Sequence, residues 1–311
     1  MNLGLKLYST AGAVEHVDLP TAVTVGVFDG VHCGHRDLIR QLASHHTPLI
    51  VSLTSHPSFV LGRRESEYWL DDPEEHLRLL FEAGAEYVAV LPFTREVASL
   101  PACALARELY GHVQMRTLLL GYDNRFGSKV HDDFPLLPDL GRELGFGVVA
   151  GNPFTLGGTA ISSSRIRESL LRGDVETTAS LLGRPYAVCG TVAHGRGVGH
   201  TLGFPTANVD LTHTRKMLPL DGVYTVSLRI QDAKSKRQSS RLGMANLGAA
   251  PTFGVEKPLL EVHLLDFEGD LYGQEVEVCF MRRLRDTRRF DSPQELQQQL
   301  EEDLATIRDG K

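Results

Sequence analysis

The sequence predicts two domains of different class: an α/β domain on a parallel, doubly wound sheet, then a small antiparallel β-barrel followed by a C-terminal helix. Three observations predict it. Up to Gly183, short apolar β-type runs alternate with helical patterns, the rhythm of βαβ units. After Gly183-Arg184-Pro185, short β-type runs are separated by glycine and proline turns, with no long helical periodicity until the last turns of the chain, the pattern of a small barrel. At 311 residues there is length for two domains, each with its own core. We place them at 1–183 and 184–311.

Taken in order, Ala22 to Val27 reads as a strand, with a glycine-bearing turn and a helix from about Gly34 to Ser44. Leu49 to Leu53 is the second strand. Pro73 to Ala83 is helical, with Asp71 or Asp72 placed to cap it. A strand (Tyr87 to Leu91), a helix (Ala102 to Tyr110), a strand (Thr117 to Gly121), a helix (Pro138 to Leu144) and a strand (Gly147 to Ala150) complete the alternation. In the second half the β-type runs are Tyr186 to Val192, Gly222 to Ile230, Arg241 to Asn246, Leu259 to Leu265 and Glu275 to Phe280. Gln231 to Ser240 reads as a hairpin tip, and Pro293 to Arg308 as the final helix. No internal repeat is present.

Composition removes several function classes. No apolar run approaches the roughly 20 residues of a membrane-spanning helix, and the N-terminus lacks the basic-then-apolar order of a signal peptide. The four cysteines lie far apart without a CxxC pair, as for reduced thiols in the cytoplasm. Up to Gly183 there are 15 Lys+Arg against 22 Asp+Glu; from Arg184 onward there are 17 of each. Neither half has the basic balance of a nucleic-acid binder. Anionic substrates must then be held by local devices: backbone amides, helix starts, a few Arg and His side chains, and metal. Oligomeric state is not legible.

In a parallel sheet, ligands gather at the carboxyl ends of the strands. There stands Val25-Gly-Val-Phe-Asp-Gly-Val-His-Cys-Gly-His35, directly after a strand and opening a helix. Gly26, Gly30 and Gly34 admit close backbone approach. The helix start offers amides and a positive dipole to phosphate, with His32 and His35 flanking the same point. A zinc site using His32, Cys33 and His35 lacks a companion ligand cluster. His45 and His46 read as ordinary surface or core residues. The second signal is Ile161-Ser-Ser-Ser-Arg-Ile-Arg167, where Ser162 to Ser164 open a helix and Arg165 and Arg167 offer cations to an anion.

In the second half, Gly190-Thr-Val-Ala-His-Gly-Arg-Gly-Val-Gly-His-Thr-Leu-Gly-Phe-Pro-Thr-Ala-Asn208 is dense in glycine and ends in what reads as a Pro-Thr-Ala-Asn turn. It is not a P-loop, because no Gly-Lys-Ser/Thr follows. Barrel corners account for several of the glycines. They do not account for Thr206 and Asn208, whose oxygens can share one hard cation such as Mg²⁺. Further on come Gly222-Val-Tyr, Met244-Ala-Asn-Leu-Gly-Ala-Ala-Pro-Thr-Phe253 and Glu261-Val-His-Leu-Leu-Asp-Phe267. A lone Glu261 would read as an exposed strand residue. Arg282, Arg283, Arg285, Arg288 and Arg289 form a basic cluster, a solvated face or a support for phosphates.

The paired HxGH and Ser-Ser-Ser-Arg-Ile-Arg segments resemble those of the HxGH nucleotidylyltransferases, with their Rossmann-like fold. The extended GVFDGVHCGH is similar to the bacterial bifunctional riboflavin kinase/FMN adenylyltransferase (FAD synthetase) family, and the second half resembles its kinase module almost throughout. The resemblance covers about Thr21 to Asp303. It implies phosphorylation of riboflavin to FMN, then adenylylation of FMN to FAD, with ATP, riboflavin and FMN as partners and Mg²⁺ as cofactor. By it His32, His35, Ser164 and Arg167 hold the ATP triphosphate, and Gly26, Phe28, Asp29 and Gly30 shape the adenosine pocket. Gly195 and Gly199 belong to the kinase's ATP loop, and Thr206 and Asn208 hold metal. Glu261 is the base for the ribityl 5′-hydroxyl, and His56 and Asp123 lie where the family holds flavin. The chain departs from the family pattern at Thr54-Ser55, Asn124, Val130-His131-Asp132, His200 and Thr287. Those departures open a second reading, a chain retaining only the kinase. A third, a flavin-sensing or RNA-binding regulator, sits badly with the acidic first half.

Overall fold

The computed structural model describes residues 3–55, 60, 62, 68–122, 126–128, 133–194, 203–231, 238–252 and 255–310. The chain divides into two compact units, Met1–Ser163 and Ser164–Lys311. In the first unit, β1 (Lys6–Ser9), β2 (Gly12–Val14) and β3 (Thr21–Gly26) lead into α1 (Cys33–Ala43). Then come β4 (Thr47–Leu53), α2 (Pro73–Glu82), β5 (Tyr87–Leu91), the short α3 (Arg95–Ser99), α4 (Ala102–Val113) and β6 (Met115–Leu120). The unit ends with α5 (Leu137–Leu144), β7 (Gly147–Ala150) and a small hairpin of β8 (Thr155–Leu156) and β9 (Thr159–Ala160).

The seven-stranded sheet runs β2-β1-β5-β4-β3-β6-β7. From β5 to β7 every pairing is parallel, as the βαβ rhythm predicts. β1 and β2 add an antiparallel edge that the sequence did not reveal. Alternate residues of each strand feed two separate cores. Val23, Val25, Leu49, Val51, Ala89, Leu118 and Leu120 pack with Leu105, Leu109 and Leu140 from α4 and α5. Ala22, Ile50, Val88 and Leu119 face the other way, onto Ile39, Leu42, Leu79 and Leu80 from α1 and α2. Burial on both faces is why these strands read as unbroken apolar runs rather than alternating ones.

The second unit begins at Ser164, one residue into α6 (Ser163–Leu171), and continues with α7 (Val175–Leu182). The sequence placed these helices with the α/β half; by contacts they cluster with the barrel, where the Leu220 amide donates to the Leu170 carbonyl at 2.9 Å. β10 (Tyr186–Ala193), β11 (Ala207–Asp210), β12 (Gly222–Gln231), β13 (Gln238–Thr252), β14 (Val255–Leu264) and β15 (Glu275–Arg285) follow, then α8 (Pro293–Arg308). The strands close a barrel in the order β10-β11-β14-β13-β12-β15, every pairing antiparallel. β12 and β13 pair out to Gln231↔Gln238, as expected of a hairpin; the tip between them lies outside the described residues. Ala207-Asn208 is not a turn: it opens β11.

Inside the barrel, Tyr224 meets Phe280 edge-on with ring centroids 5.1 Å apart, and both rings are fully buried. The Tyr186 hydroxyl, also buried, donates to the Met217 carbonyl at 2.6 Å. α8 starts at Ser292, whose hydroxyl accepts from the Glu295 amide at 3.2 Å, with Pro293 in the first turn where its missing N–H costs nothing. Its apolar stripe, Leu300, Leu304 and Ile307, packs on Val223 and Met244 of the barrel wall. Among the described residues no helix is long and apolar enough to cross a membrane.

Candidate active sites

The first site sits at the carboxyl ends of β3, β6 and β7. His32, Gly34, His35 and Leu38 line a pocket of about 120 Å³ together with Gly121, Tyr122, Asn152, Phe154, Ile161, Ser162 and Ser163. The two signals that the sequence spaced more than a hundred residues apart thus meet in one cavity. His32 is the N-cap of α1: its Nδ1 accepts from the His35 backbone amide at 3.3 Å. That acceptor role puts the ring proton on Nε2, so His32 donates from its other edge. The two imidazoles stack 3.6 Å apart. Burial, then the neighbouring His32 and His76, hold His35 well below the ordinary histidine pKa, so it is a neutral donor at pH 7. Its Nδ1 is buried without a hydrogen-bond partner among the described residues.

The glycines serve the rings. A Cβ on Gly26 would come within 3.0 Å of the Phe28 ring, and one on Gly34 within 3.2 Å of His32. Phe28 is buried and stands edge-on to His35 at 5.0 Å. The loop carrying Phe28 is strained: Phe28 (φ 53°), Gly30 (φ 84°) and Val31 (φ 35°) all lie in the left-handed region, where a β-branched valine is an outlier. Such backbone persists only when its surroundings over-determine it.

Here they do. The Leu70 amide donates to Asp29 Oδ1 at 2.7 Å, the Gly30 amide donates to Asp71 Oδ2 at 3.2 Å, and Ser163 Oγ donates to the Asp29 carbonyl at 2.9 Å. Asp29, expected to shape the ATP pocket, thus gives one carboxylate oxygen to the Leu70 amide. Asp72, not Asp71, is the N-cap residue of α2, and it makes no side-chain cap bond. Asp71 instead pairs with His76 Nδ1 at 3.0 Å, and His76 Nε2 reaches Ser52 Oγ at 2.8 Å. Sequence reasoning missed Ser52, Asp71 and His76 as site residues; only the fold gathers three separate segments here.

The second site lies on the outer wall of the barrel beneath α8. Glu261 is opposed to Asn208 of β11 on one side and Asn246 of β13 on the other. Directly opposed residues share a face, so a carboxylate stands between two amides in one row. A cleft of about 290 Å³ is lined by Phe204, Thr206, Asn246, Glu261, His263 and Arg285 from the barrel side, and by Leu296 and Leu300 from α8. Thr287 and Arg288 complete its rim. His263 donates from Nδ1 to the Pro205 carbonyl at 2.9 Å. Thr206 also borders a neighbouring hollow of about 270 Å³ with Val192, Leu264, Phe267 and Tyr272, beside the His194–Tyr272 stack at 3.9 Å. Arg285 is committed to Asp303 of α8, with Nη2 2.7 Å from Oδ2, and Arg283 to Asp286 at 2.7 Å. That pairing accounts for part of the basic cluster.

Thr206, Asn208 and Glu261 are thus brought together, as are His32, His35, Phe28 and Gly30. Ser164 and Arg167 sit in the first turns of α6, in the second unit, with Arg167 largely buried. His56, Asp123, Gly195 and Gly199 lie outside the described residues, as do Asn124, Val130 to Asp132 and His200. Among the described residues no group of three or more His, Cys, Asp or Glu side chains is arranged to hold a metal, which leaves the His32-Cys33-His35 zinc option without support.

Comparison with known proteins matches both halves separately. A FAD synthetase family model matches residues 14–165 and a riboflavin kinase model residues 182–310. The bifunctional riboflavin kinase/FMN adenylyltransferase of Escherichia coli (strain K12) is 37% identical over 293 residues, 92% of this chain and 91% of that one. Its namesake in Bacillus subtilis (strain 168) is 33% identical over 300 residues, 93% and 92% of the two chains. A crystal structure of a protein described as a macrolide-efflux protein from Streptococcus pneumoniae superposes with a TM-score of 0.82 at 31% identity, covering 94% of this chain and 96% of that one. With both modules present in the same order as in such relatives, the chain belongs to the bifunctional riboflavin kinase/FMN adenylyltransferase family.

Proposed function

We propose that this protein makes FMN from riboflavin and ATP in its barrel, and FAD from FMN and ATP in its α/β domain. The observation that carries this is the pair of unlike sites in one chain, each lying within a different family match. The kinase-only alternative loses ground because the FAD synthetase match spans residues 14–165, loops and departures included. We assign the transferase to 1–183 and the kinase to 184–311, counting α6 with the transferase because it carries Ser164 and Arg167.

In adenylyl transfer an FMN phosphate oxygen attacks the α-phosphorus of ATP and pyrophosphate leaves. The nucleophile is already ionised, so the protein supplies alignment and charge stabilisation rather than a base. His32 and His35 donate ring N–H groups to the phosphates at the start of α1, where helix amides also converge. The unpartnered Nδ1 of His35 carries a burial cost of about 1–3 kcal/mol that a phosphate oxygen would relieve. Gly26, Phe28, Asp29 and Gly30 shape the nucleotide pocket, Asp29 by holding the loop. Ser164 and Arg167 keep the triphosphate-binding part that the resemblance gives them.

In the kinase the riboflavin 5′-hydroxyl attacks the γ-phosphorus and ADP leaves. Glu261 takes the hydroxyl proton, which a neutral primary alcohol needs at pH 7. The Asn208 amide opposed to the Glu261 carboxylate, with the Thr206 hydroxyl in the same cleft as Glu261, supplies oxygen donors that fit a hard divalent cation. Thr206 and Asn208 would hold Mg²⁺, which when bound neutralises phosphate charge. Gly195 and Gly199 would cover the ATP phosphates, and His56 and Asp123 would contact flavin in the transferase. With four free cysteines, we place this work in the cytoplasm.

Chromatography of flavins over time, with riboflavin, ATP and Mg²⁺, tests the assignment. FMN should appear first and FAD after it. His35→Ala should abolish FAD formation and spare FMN formation; Glu261→Ala should do the reverse, with added FMN still converted. A folded variant that loses both steps equally would refute the division.

A further inference from the structure

The mechanism leaves unused a buried polar chain next to the adenylyl-transfer pocket. Ser52 at the end of β4, His76 in the first turns of α2 and Asp71 just before that helix form a Ser–His–Asp array with bonds of 2.8 and 3.0 Å. Ser52 is 3% exposed, and the side chains of His76 and Asp71 are 14% and 1% exposed. Ser52 is too buried to meet a substrate, so this is not a hydrolytic triad. What the array touches is the strained loop: the same Asp71 oxygen that faces His76 accepts the Gly30 amide. Ser52 in turn sits beside Gly26 across the β3–β4 ladder. The array therefore spans the root of the loop and its apex.

Resting on the assignment of adenylyl transfer to this domain, we propose that His76 is a positioning residue for that reaction. In its cationic form it fixes Asp71 against Gly30, holds Phe28 to Val31 in their strained geometry, and so sets His32 and His35 for the phosphates.

The charge has a reason to be there. Burial disfavours it, but the hydrogen bond and charge of Asp71, then Asp29 and Glu75, outweigh burial and raise the His76 pKa above its ordinary value. Facing it from α1 is His35, which the His76 charge helps to keep neutral. The cation is thereby favoured on the histidine behind the loop, while the neutral donor is favoured on His35 in front of it. Deprotonating His76 would weaken the charge-assisted bond to Asp71 and release the Gly30 anchor. Adenylyl transfer should then be sustained below the raised His76 pKa and lost as pH climbs through it.

The test uses the full chain with FMN and ATP as substrates, following FAD against pH; phosphorylation of riboflavin by the same samples serves as folding control. His76→Asn retains a donor toward Asp71 without a charge. It should lower kcat/KM for ATP at pH 7 roughly tenfold or more and erase the alkaline limb. His76→Lys should restore activity and carry that limb to higher pH. Asp71→Asn, which can still accept from Gly30 but no longer favours the cation, should move it to lower pH. Limbs displaced in opposite directions are not what a merely structural role produces. If wild-type protein makes FAD and all three variants match it in rate and pH profile, the positioning role is wrong. If wild-type protein makes no FAD from FMN, the assignment beneath it fails instead.

Discussion

Asp303 is the buried end of the pair that holds α8 against the kinase cleft. Its carboxylate receives Arg285 through Nε at 3.1 and 3.0 Å and through Nη2 at 2.7 Å, and Gln299 through Nε2 at 2.9 Å. The Asp303 side chain is 6% exposed and that of Arg285 20%. Removing one partner of a fully buried pair costs about 3–5 kcal/mol, because the other charge is left uncompensated. Arg285 keeps some access to water, so Asp303→Ala belongs at the low end, about 3 kcal/mol. For a unit of this size that is roughly 9 °C of melting temperature, at about 3 °C per kcal/mol. Since Leu296 and Leu300 of α8 and Arg285 itself line the cleft, the riboflavin KM should rise on the order of tenfold, with FMN adenylylation unaffected. Differential scanning calorimetry and riboflavin-dependent kinase kinetics read the two effects. Asp303→Leu combined with Arg285→Met should recover most of the stability, as apolar replacements of buried pairs do, without recovering the KM. An Asp303→Ala protein with unchanged melting and unchanged KM would refute the reasoning.

Gly190→Ala would place a Cβ 2.5 Å from the Asp210 carbonyl oxygen and 2.6 Å from Val209 Cγ1. β11 must then shift, so we expect a loss of about 1–3 kcal/mol in urea unfolding and a fall in kinase activity through Asn208. Burial, then Glu277, pushes the Cys279 thiol up to about 11. The unfolded chain therefore loses this proton first, and stability should decline between about pH 9 and 11, by roughly 1.4 kcal/mol per unit at most. Cys279→Ser should flatten that slope in denaturant titrations at fixed pH. Because the first half is acidic overall, ATP capture there should gain nothing from long-range attraction. The ATP KM for FAD formation should change less than about twofold between 50 and 200 mM KCl, given a Debye length near 10 Å; a steep rise would contradict it.

The elements that the sequence revealed are those whose cause is local. β5 (Tyr87–Leu91), β7 (Gly147–Ala150) and α8 (Pro293–Arg308) have the bounds expected of them, since a doubly buried run, a helix-stopping Gly145 before β7 and a Ser-Pro start announce themselves within a few residues. β1 and β2 were illegible because they lie on an edge and carry mixed, partly exposed side chains. β13 runs to Thr252, beyond the apolar core at Arg241 to Asn246, because long strands of a closed barrel are held by their neighbours rather than by their own propensity.

The sites divide along the same line. His32, Gly34 and His35 could be read because a strand, a glycine turn and a helix start compress the phosphate devices into eleven residues. Glu261 could be read only as part of a motif, since the role we propose for it draws on its place between Asn208 and Asn246, a fact of strand register that spacing along the chain does not contain. Asp71 and His76 were beyond sequence reasoning for a further reason. An aspartate before a proline-headed helix is an ordinary N-cap, and the local rule assigns it there. Here the cap position falls to Asp72, which makes no cap bond, while Asp71 leaves the helix amides and shares one oxygen between the Gly30 amide and the His76 ring. A local preference is overridden when a strained loop elsewhere has a stronger claim on the same carboxylate. That inversion is why the histidine behind Asp71, rather than either histidine in front of it, is the residue whose charge governs the shape of the pocket.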